Sequence, residues 1–463
     1  MVLVASAVCA QTPGAVARVE AGLRPAVQIA GEPEARWSIQ ERLAHHKVAA
    51  VSVAVISGGK VEWAKAYGVI DATTGVAANP DTLFQAASIS KPVSAIAALR
   101  MVAAGQLSLD EDVNVRLLSS KVPPHSFGKP VTLRGLLSHT AGTTVHGFPG
   151  YAADAPVATA VQVLAGEKPA NTAKVIVDIE PGSTWRYSGG GYTVMQVLMS
   201  DVAKKPFAAI LRESVLDRLE MTRSTFEQPL PESLHTNAAR AHGRDGKPIA
   251  GRWHTYPEQA AAALWTTPTD LAKVLLAMQR AHAGEAKLLP TGLTREMLTA
   301  VKGDYGLGWG LRGTGENLAF SHGGANAGFR CFAFAYAGKG KGAVVMTNSD
   351  SGDALASEIL RSIAAEYGWP DYKVETRTPL SLSAERLSAY AGEYQAPMGI
   401  VAVSVHGKGI RIEMGGRNFD FQPESDTKFF PVTDGAPSLV FSRDADGKIT
   451  GFAGGNLKAS RKE

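Results

Sequence analysis

An α+β chain with a separate all-β module at its C-terminal end is predicted from three observations. A run of residues from Val51 alternates apolar and polar around a Gly58-Gly59 turn, a stretch from Ser88 has the apolar spacing of a helix, and about the last 80 residues break into short alternating runs. Its 463 residues exceed one ordinary core and suggest two domains, or one large domain with an appendage.

The first element, VSVAVISGGKVEWAKAYGVID, is a hairpin signal, because paired glycines supply the positive φ that a two-residue turn demands. Next, LFQAA gives an apolar approach to Ser88, and an amphipathic helix is expected from about Ser88 to Ala104, with Gly105 as its stop. Pro92 helps fix its start, since proline is tolerated only in a first turn. In PGSTWRYSGGGYTVMQVLMSDVAKKP, Pro181-Gly182 make a turn and a helix is expected over about Tyr192 to Val202. WTTPTDL reads as a helix start, with Thr267 as cap, Pro268 first and Asp270 third.

Further on, AFSHGGANAGFRCFAFAYAGKGKGAVVMTNSD opens an expected edge strand at His322-Gly323-Gly324, followed by an alternating strand, a GKGKG turn and the strand AVVMTN. After AAEYGWPDYKVETRTPLSL the runs GIVAVSV, GIRIEM, NFDFQ, KFFPV, SLVFS and KITGF alternate with turns, which predicts an antiparallel meander closing into a small barrel.

Composition narrows the function. With 45% hydrophobic and 19% charged residues and a formal charge of +4, the chain is globular, and it has no Lys/Arg run to track phosphates, so nucleic acid is excluded as a partner. Nothing beyond the N-terminus is long and apolar enough to span a membrane, so no stable membrane insertion is expected. The opening MVLVASAVCAQTPG resembles the tail of a secretory signal, with small residues Val8 and Ala10 before a cut ahead of Gln11, so residues 1 to 25 are expected to be a partial leader and flexible N-terminus of a periplasmic or secreted protein. Cys9 lies in that segment, and Cys331 alone remains, so neither a disulfide framework nor a cysteine metal site is expected.

Three places have the spacing S-x-x-K: Ser57-Lys60, Ser88-Lys91 and Ser425-Lys428. The first straddles the hairpin turn and the third lies in a polar turn, where both side chains are solvated. Ser88 and Lys91 differ because a helix puts residues three apart on one face, and the exposed amides of the first turn place positive partial charge near the serine oxygen. A nucleophilic serine needs such an arrangement: an amine that desolvation can make a proton acceptor, and donors for an oxyanion. Tyr187 is, by itself, a packed aromatic.

Taken together, SISK, YSG and HGG in this order resemble the S-x-x-K, Y-x-N and K-T-G motifs of the serine beta-lactamase and penicillin-recognising superfamily, in particular class C-like hydrolases such as family VIII carboxylesterases and D-amino-acid peptidases. LLSHTAG, ALWTTPTDLAKVLLAM and YGLGWG support the resemblance, which covers about residues 35 to 365. It implies an antiparallel sheet flanked by helices over residues 26–370, a helical insertion at about 110 to 260, and a lipocalin-like barrel over 380–463. It also implies Ser88 as nucleophile, Lys91 and Tyr187 as proton-transfer groups with the principal base left open, backbone N–H groups of Ser88 and Ala325 as oxyanion hole, and His322, Gly323 and Gly324 at the substrate. No cofactor or metal is implied.

Two departures shape the substrate. Gly189 stands where an asparagine amide would hold a substrate amide, and His322 stands where a lysine would anchor a carboxylate. Both favour small carboxylic esters over lactams, with D-amino-acid amides or small peptides as the alternative and a non-catalytic binding protein as a third class. No feature specifies an oligomeric state.

His139 reads as a structural hydrogen-bonding residue, and His45 and His46 lack a metal spacing. Arg330 is open between binding a carboxylate and facing solvent. His146, Phe148 and Tyr151 are open between an acyl pocket and a packed loop.

Overall fold

A computed structural model describes residues 13–433 and 435–462. The architecture is α+β, with an antiparallel sheet flanked by helices and a closed eight-stranded C-terminal barrel. The described residues divide into two compact units, residues 40–356 and residues 13–39 with 357–433 and 435–462.

In the first unit β1 (Ala50–Ser57) and β2 (Lys60–Gly68) form the hairpin, and Gly58 and Gly59 take φ of 58° and 72° as such a turn requires. Helices α1 (Ser90–Ala103), α2 (Gly189–Ala203), α3 (Gln259–Ala262) and α4 (Pro268–His282) follow, then strands β3 (Gly310–Arg312), β4 (Ala319–Asn326), β5 (Phe329–Tyr336) and β6 (Gly342–Thr347). The sheet order is β2-β1-β6-β5-β4-β3, antiparallel throughout. The first hairpin therefore packs beside the last strand, and the mainly helical region from α1 to α4 is spliced between them.

Central position changes the burial of β1. It is buried almost to its end, Ser52 included, because a strand paired on both edges and covered on both faces has no solvent side. The strand with His322 begins earlier than expected, at Ala319, and is not a simple edge. Its partner β3 pairs only with Ala319 to Ser321, so an outer edge without a strand partner begins at His322.

Helix α4 starts as its sequence requires. The Thr267 side chain accepts from the Asp270 N–H, and Pro268 occupies the first position, where its missing N–H costs no bond. Among the described residues no helix is long and apolar enough to cross a membrane. Cys331 is a free, buried thiol, pushed up to about 12 by burial.

The second unit carries a helix over Pro13–Glu20, within the stretch expected to be leader and flexible tail, while residues 1–12 lie outside the described residues. Strand Val27–Ile29 pairs in parallel with Glu375–Arg377. From Gly392 to Arg461 eight antiparallel strands follow in sequence order and close through Tyr394 and Gln395 on Arg461 and Ser460. Closure removes the free edges that an open meander would expose. Ser425 of the third S-x-x-K lies in the turn between two of these strands, its Oγ accepting from the Lys428 N–H at 3.0 Å.

Aromatic rings fill the barrel. Phe441, 2% exposed, lies 4.9 Å from Tyr390 and 5.3 Å from both Phe429 and Phe452 by ring centroids. Phe441→Ala should cost about 3–5 kcal/mol, since the gap it leaves strips ring contacts from these three neighbours. Chemical denaturation followed by aromatic fluorescence should show a barrel transition displaced to lower denaturant, and an unmoved midpoint would contradict this packing.

Candidate active site

Ser88 sits in a single 3-10 turn, Ala87–Ile89, just ahead of α1, so the regular helix begins two residues later than expected. Ala87 has φ of 50°, a left-handed conformation that costs a non-glycine residue free energy and persists only when its surroundings enforce it. Ser90 provides part of that enforcement. Its Oγ donates to the Ala87 carbonyl at 2.6 Å and accepts from the Leu264 N–H at 2.9 Å. The β4 strand provides more, because a Cβ on Gly324 would collide with the Ala86 carbonyl oxygen. Only glycine lets the sheet edge lie this close to the turn that presents Ser88.

Lys91 is 2% exposed. Its Nζ donates to Ser88 Oγ at 3.1 Å and to the Ala261 carbonyl of α3 at 2.9 Å, and it lies 4.8 Å from the Tyr187 ring centroid and 5.8 Å from that of Tyr192. Among the described residues no carboxylate pairs with it; a carbonyl, a hydroxyl and two aromatic faces surround it. The structure thus brings Ser88, Lys91 and Tyr187 together.

Tyr187 is placed by its neighbours. Ser188 caps α2, its Oγ accepting from the Gly191 N–H and donating to the Thr144 carbonyl. His139 fastens both flanking residues: its carbonyl accepts from the Arg186 N–H at 2.8 Å and its Nδ1 accepts from the Ser188 N–H at 3.1 Å. Its ring lies 4.2 Å from that of Tyr187. Burial, with the positive charge of Lys91 next, drives its pKa well below the ordinary 6.5. His139 is therefore neutral, with its proton on Nε2, and holds Tyr187 in place, which agrees with the structural reading.

His322 is also neutral, lowered to about 3 by burial first and by Lys91 second. Its Nδ1 donates to the Gly323 carbonyl at 2.6 Å, and its Nε2 accepts from the Tyr305 hydroxyl at 3.1 Å. Both ring nitrogens are thus engaged. Along β4, Gly323 and Ala325 are exposed while His322, Gly324 and Asn326 point inward, the alternation of a strand.

Several residues of the site escaped sequence reasoning. Tyr305 lies in YGLGWG, which served only as a supporting resemblance. Asn326 donates to Gln85 Oε1 and to the Ala262 carbonyl, tying β4 to α3, and its signal was its place directly after HGGA. Arg330 fits neither reading held for it. Its guanidinium caps the Asn326 and Phe329 carbonyls and pairs with Asp350 at 2.9 Å and Asp353 at 3.4 Å. His45 and His46 end the helix Ile39–His46 with rings edge to face, and among the described residues no cluster could hold a metal ion.

The 143–151 segment borders the site. His146 lies 4.9 Å from Tyr187 by ring centroids, and Phe148 packs against Gly189. Tyr151 is buried. Close by is Glu258, fully buried, its carboxyl oxygens without a hydrogen-bond partner among the described residues; burial raises its pKa to about 7, and burial first and the Glu258 charge second raise that of Tyr151. It immediately precedes α3, the helix that presents the Ala261 carbonyl to Lys91.

A family model described as Beta-lactamase matches residues 37–367, and the chain belongs to that family, whose members are generally serine hydrolases. Penicillin-binding protein 4 of Amycolatopsis lactamdurans is 26% identical over 348 residues, 70% of this chain and 87% of that protein. Protein flp of Staphylococcus aureus strain N315 is 25% identical over 234 residues, 50% of this chain, and the chain matches only 44% of the length of that protein. The octameric penicillin-binding protein homologue from Pyrococcus abyssi superposes with a TM-score of 0.64 at 22% identity, over 91% of this chain and 98% of that one, a likeness of fold.

Because burial raises the Glu258 carboxyl from 4.5 to about 7, its ionisation opposes folding. The stability it contributes is complete below about pH 4 and is lost as pH rises through about 7. Glu258→Gln should therefore gain roughly 3 kcal/mol on the wild type at pH 8.5 relative to its difference at pH 4. Urea denaturation at both pH values checks this, and a difference that does not change with pH would contradict it.

Proposed function

We propose that this chain is a serine hydrolase that forms an acyl-enzyme on Ser88 and acts on small carboxylic esters. The observation that carries the reading is the Lys91 Nζ held 3.1 Å from Ser88 Oγ beneath the Tyr187 ring, with no carboxylate partner among the described residues. In its amine form Lys91 takes the Ser88 proton as Oγ attacks the acyl carbon, and the carbonyl π electrons move to oxygen. The backbone N–H groups of Ser88 and Ala325 receive that oxyanion, where fixed dipoles cost no reorganisation. Collapse expels the alcohol, to which Tyr187 gives its proton; the resulting Tyr187 phenolate takes a proton from the water that attacks the acyl-enzyme, and the Lys91 ammonium returns its proton to Ser88 Oγ as the acid leaves.

Two features favour esters. Residue 189 offers no side-chain amide, and His322 is neutral with both nitrogens engaged, so it presents no cation to a carboxylate. An alkoxide also leaves with less assistance than an amine. Amide hydrolysis, as in a D-amino-acid peptidase, is the second reading, favoured by the similarity to a penicillin-binding protein over 87% of that protein's length. The apolar N-terminal residues support export to the periplasm or beyond.

Intact mass after exposure to p-nitrophenyl butyrate, a fluorophosphonate or a penicillin tests the reading. The expected result is a fluorophosphonate adduct on the wild type that Ser88→Ala loses, with ester turnover falling at least about 10³-fold. A long-lived penicillin adduct with negligible ester turnover would favour the peptidase reading instead.

A further inference from the structure

Three glycines in a row, Gly189 to Gly191, open helix α2 two residues after Tyr187, a composition that propensity alone disfavours. None of the three has a positive φ, so backbone conformation does not require them. What requires them is the segment laid across the first turn. A Cβ on Gly190 would stand 2.6 Å from the Thr144 carbonyl oxygen, and one on Gly191 would stand 2.9 Å from Thr143 Oγ1. The backbone fastens the same surface, Gly189 N–H donating to the His146 carbonyl and Gly190 N–H to the Val145 carbonyl, each at 3.0 Å.

Gly189 matters most because it stands where the resemblance expects an asparagine. Its Cβ would stand 2.7 Å from Phe148 Cε2, 3.3 Å from Phe148 Cδ2 and 3.2 Å from the His146 carbonyl oxygen. The Phe148 ring therefore takes the space into which a residue-189 side chain would grow. The ring also packs on the buried cluster of Tyr151, Ala158, Val163 and Ala170, so it is not free to swing away. At the other side of the same segment His146 stands beside Tyr187.

We propose that Phe148 is the specificity-determining residue for the acyl group, replacing a hydrogen-bonding amide with an apolar ring face. The inference rests on the serine-ester reading and names its substrate class: plain aliphatic or aromatic acyl chains without an acylamido substituent. An acylamido group set against the ring would lose its water and gain no partner, whereas an alkyl chain loses nothing by the exchange. Discrimination of about ten- to a hundredfold is the scale that such a missing partner produces.

The test compares kcat/KM for p-nitrophenyl butyrate and p-nitrophenyl N-acetylglycinate in the wild type, Phe148→Ala, Gly189→Asn and the double variant. The wild type should prefer the butyrate. Gly189→Asn alone should lose activity on both, and adding Phe148→Ala should restore turnover and move the preference at least about tenfold towards the acetamido ester, a non-additive result for residues in contact. Phe148→Asn, which supplies an amide from the loop side and leaves Gly189 intact, should move the preference the same way without depending on how α2 tolerates a new side chain. Ser88-dependent turnover with a preference unchanged in both Phe148→Asn and the double variant overturns the inference alone. Absence of Ser88-dependent turnover of either ester by the wild type overturns the ester reading and this inference with it.

Discussion

The site depends on one buried lysine nitrogen that no carboxylate among the described residues pairs with. Lys91 is 2% exposed, and its Nζ is met by the Ser88 hydroxyl, the Ala261 carbonyl and two tyrosine rings. With no carboxylate against it among the described residues, the Lys91 nitrogen meets one side-chain hydroxyl, that of Ser88, and one carbonyl, that of Ala261. Burial first, and the neighbouring Lys91 second, lower the pKa of His139 and His322 and keep both imidazoles neutral.

Holding that lysine beside Ser88 and Tyr187 requires close backbone approaches, which explains where these glycines fall. Gly324 lets β4 reach the turn before Ser88, and the run from Gly189 to Gly191 lets the 143–148 segment rest on α2 beside Tyr187. His139 locks the residues on each side of Tyr187, and Asn326 joins β4 to the helix that faces Lys91. Ser88 itself is carried on a strained turn, with Ala87 left-handed at φ of 50°. Ser90, by bonding to both Ala87 and Leu264, is part of what maintains the strain.

Much of this was legible in the sequence where periodicity or a motif carried it. The hairpin, α4 with its Thr267 cap and the closed barrel follow from local patterns, and the S-x-x-K at Ser88 stood apart from those at Ser57 and Ser425 by its helical context. What was not legible depends on non-local packing. The left-handed Ala87 has no signature, because alanine has no preference for that conformation. Glu258 reads as a polar residue in YPEQ, yet the fold buries it completely. Arg330 is decided by Asp350 and Asp353, which no spacing in its own strand announces. Phe148 matters only because the chain returns to lay it over Gly189, and an expected edge strand at His322 becomes half-paired because β3 is so short.

The most direct test of the central claim is the rate at which a fluorophosphonate labels Ser88 in the wild type and in Lys91→Met, with far-UV circular dichroism checking that both are folded. Methionine keeps the apolar body of the side chain and removes the amine. If the unpaired Lys91 nitrogen is what activates Ser88, labelling at pH 7.5 should slow by about 10²–10⁴-fold, the usual contribution of a positioned proton acceptor. A folded Lys91→Met protein labelled as fast as the wild type would contradict the account.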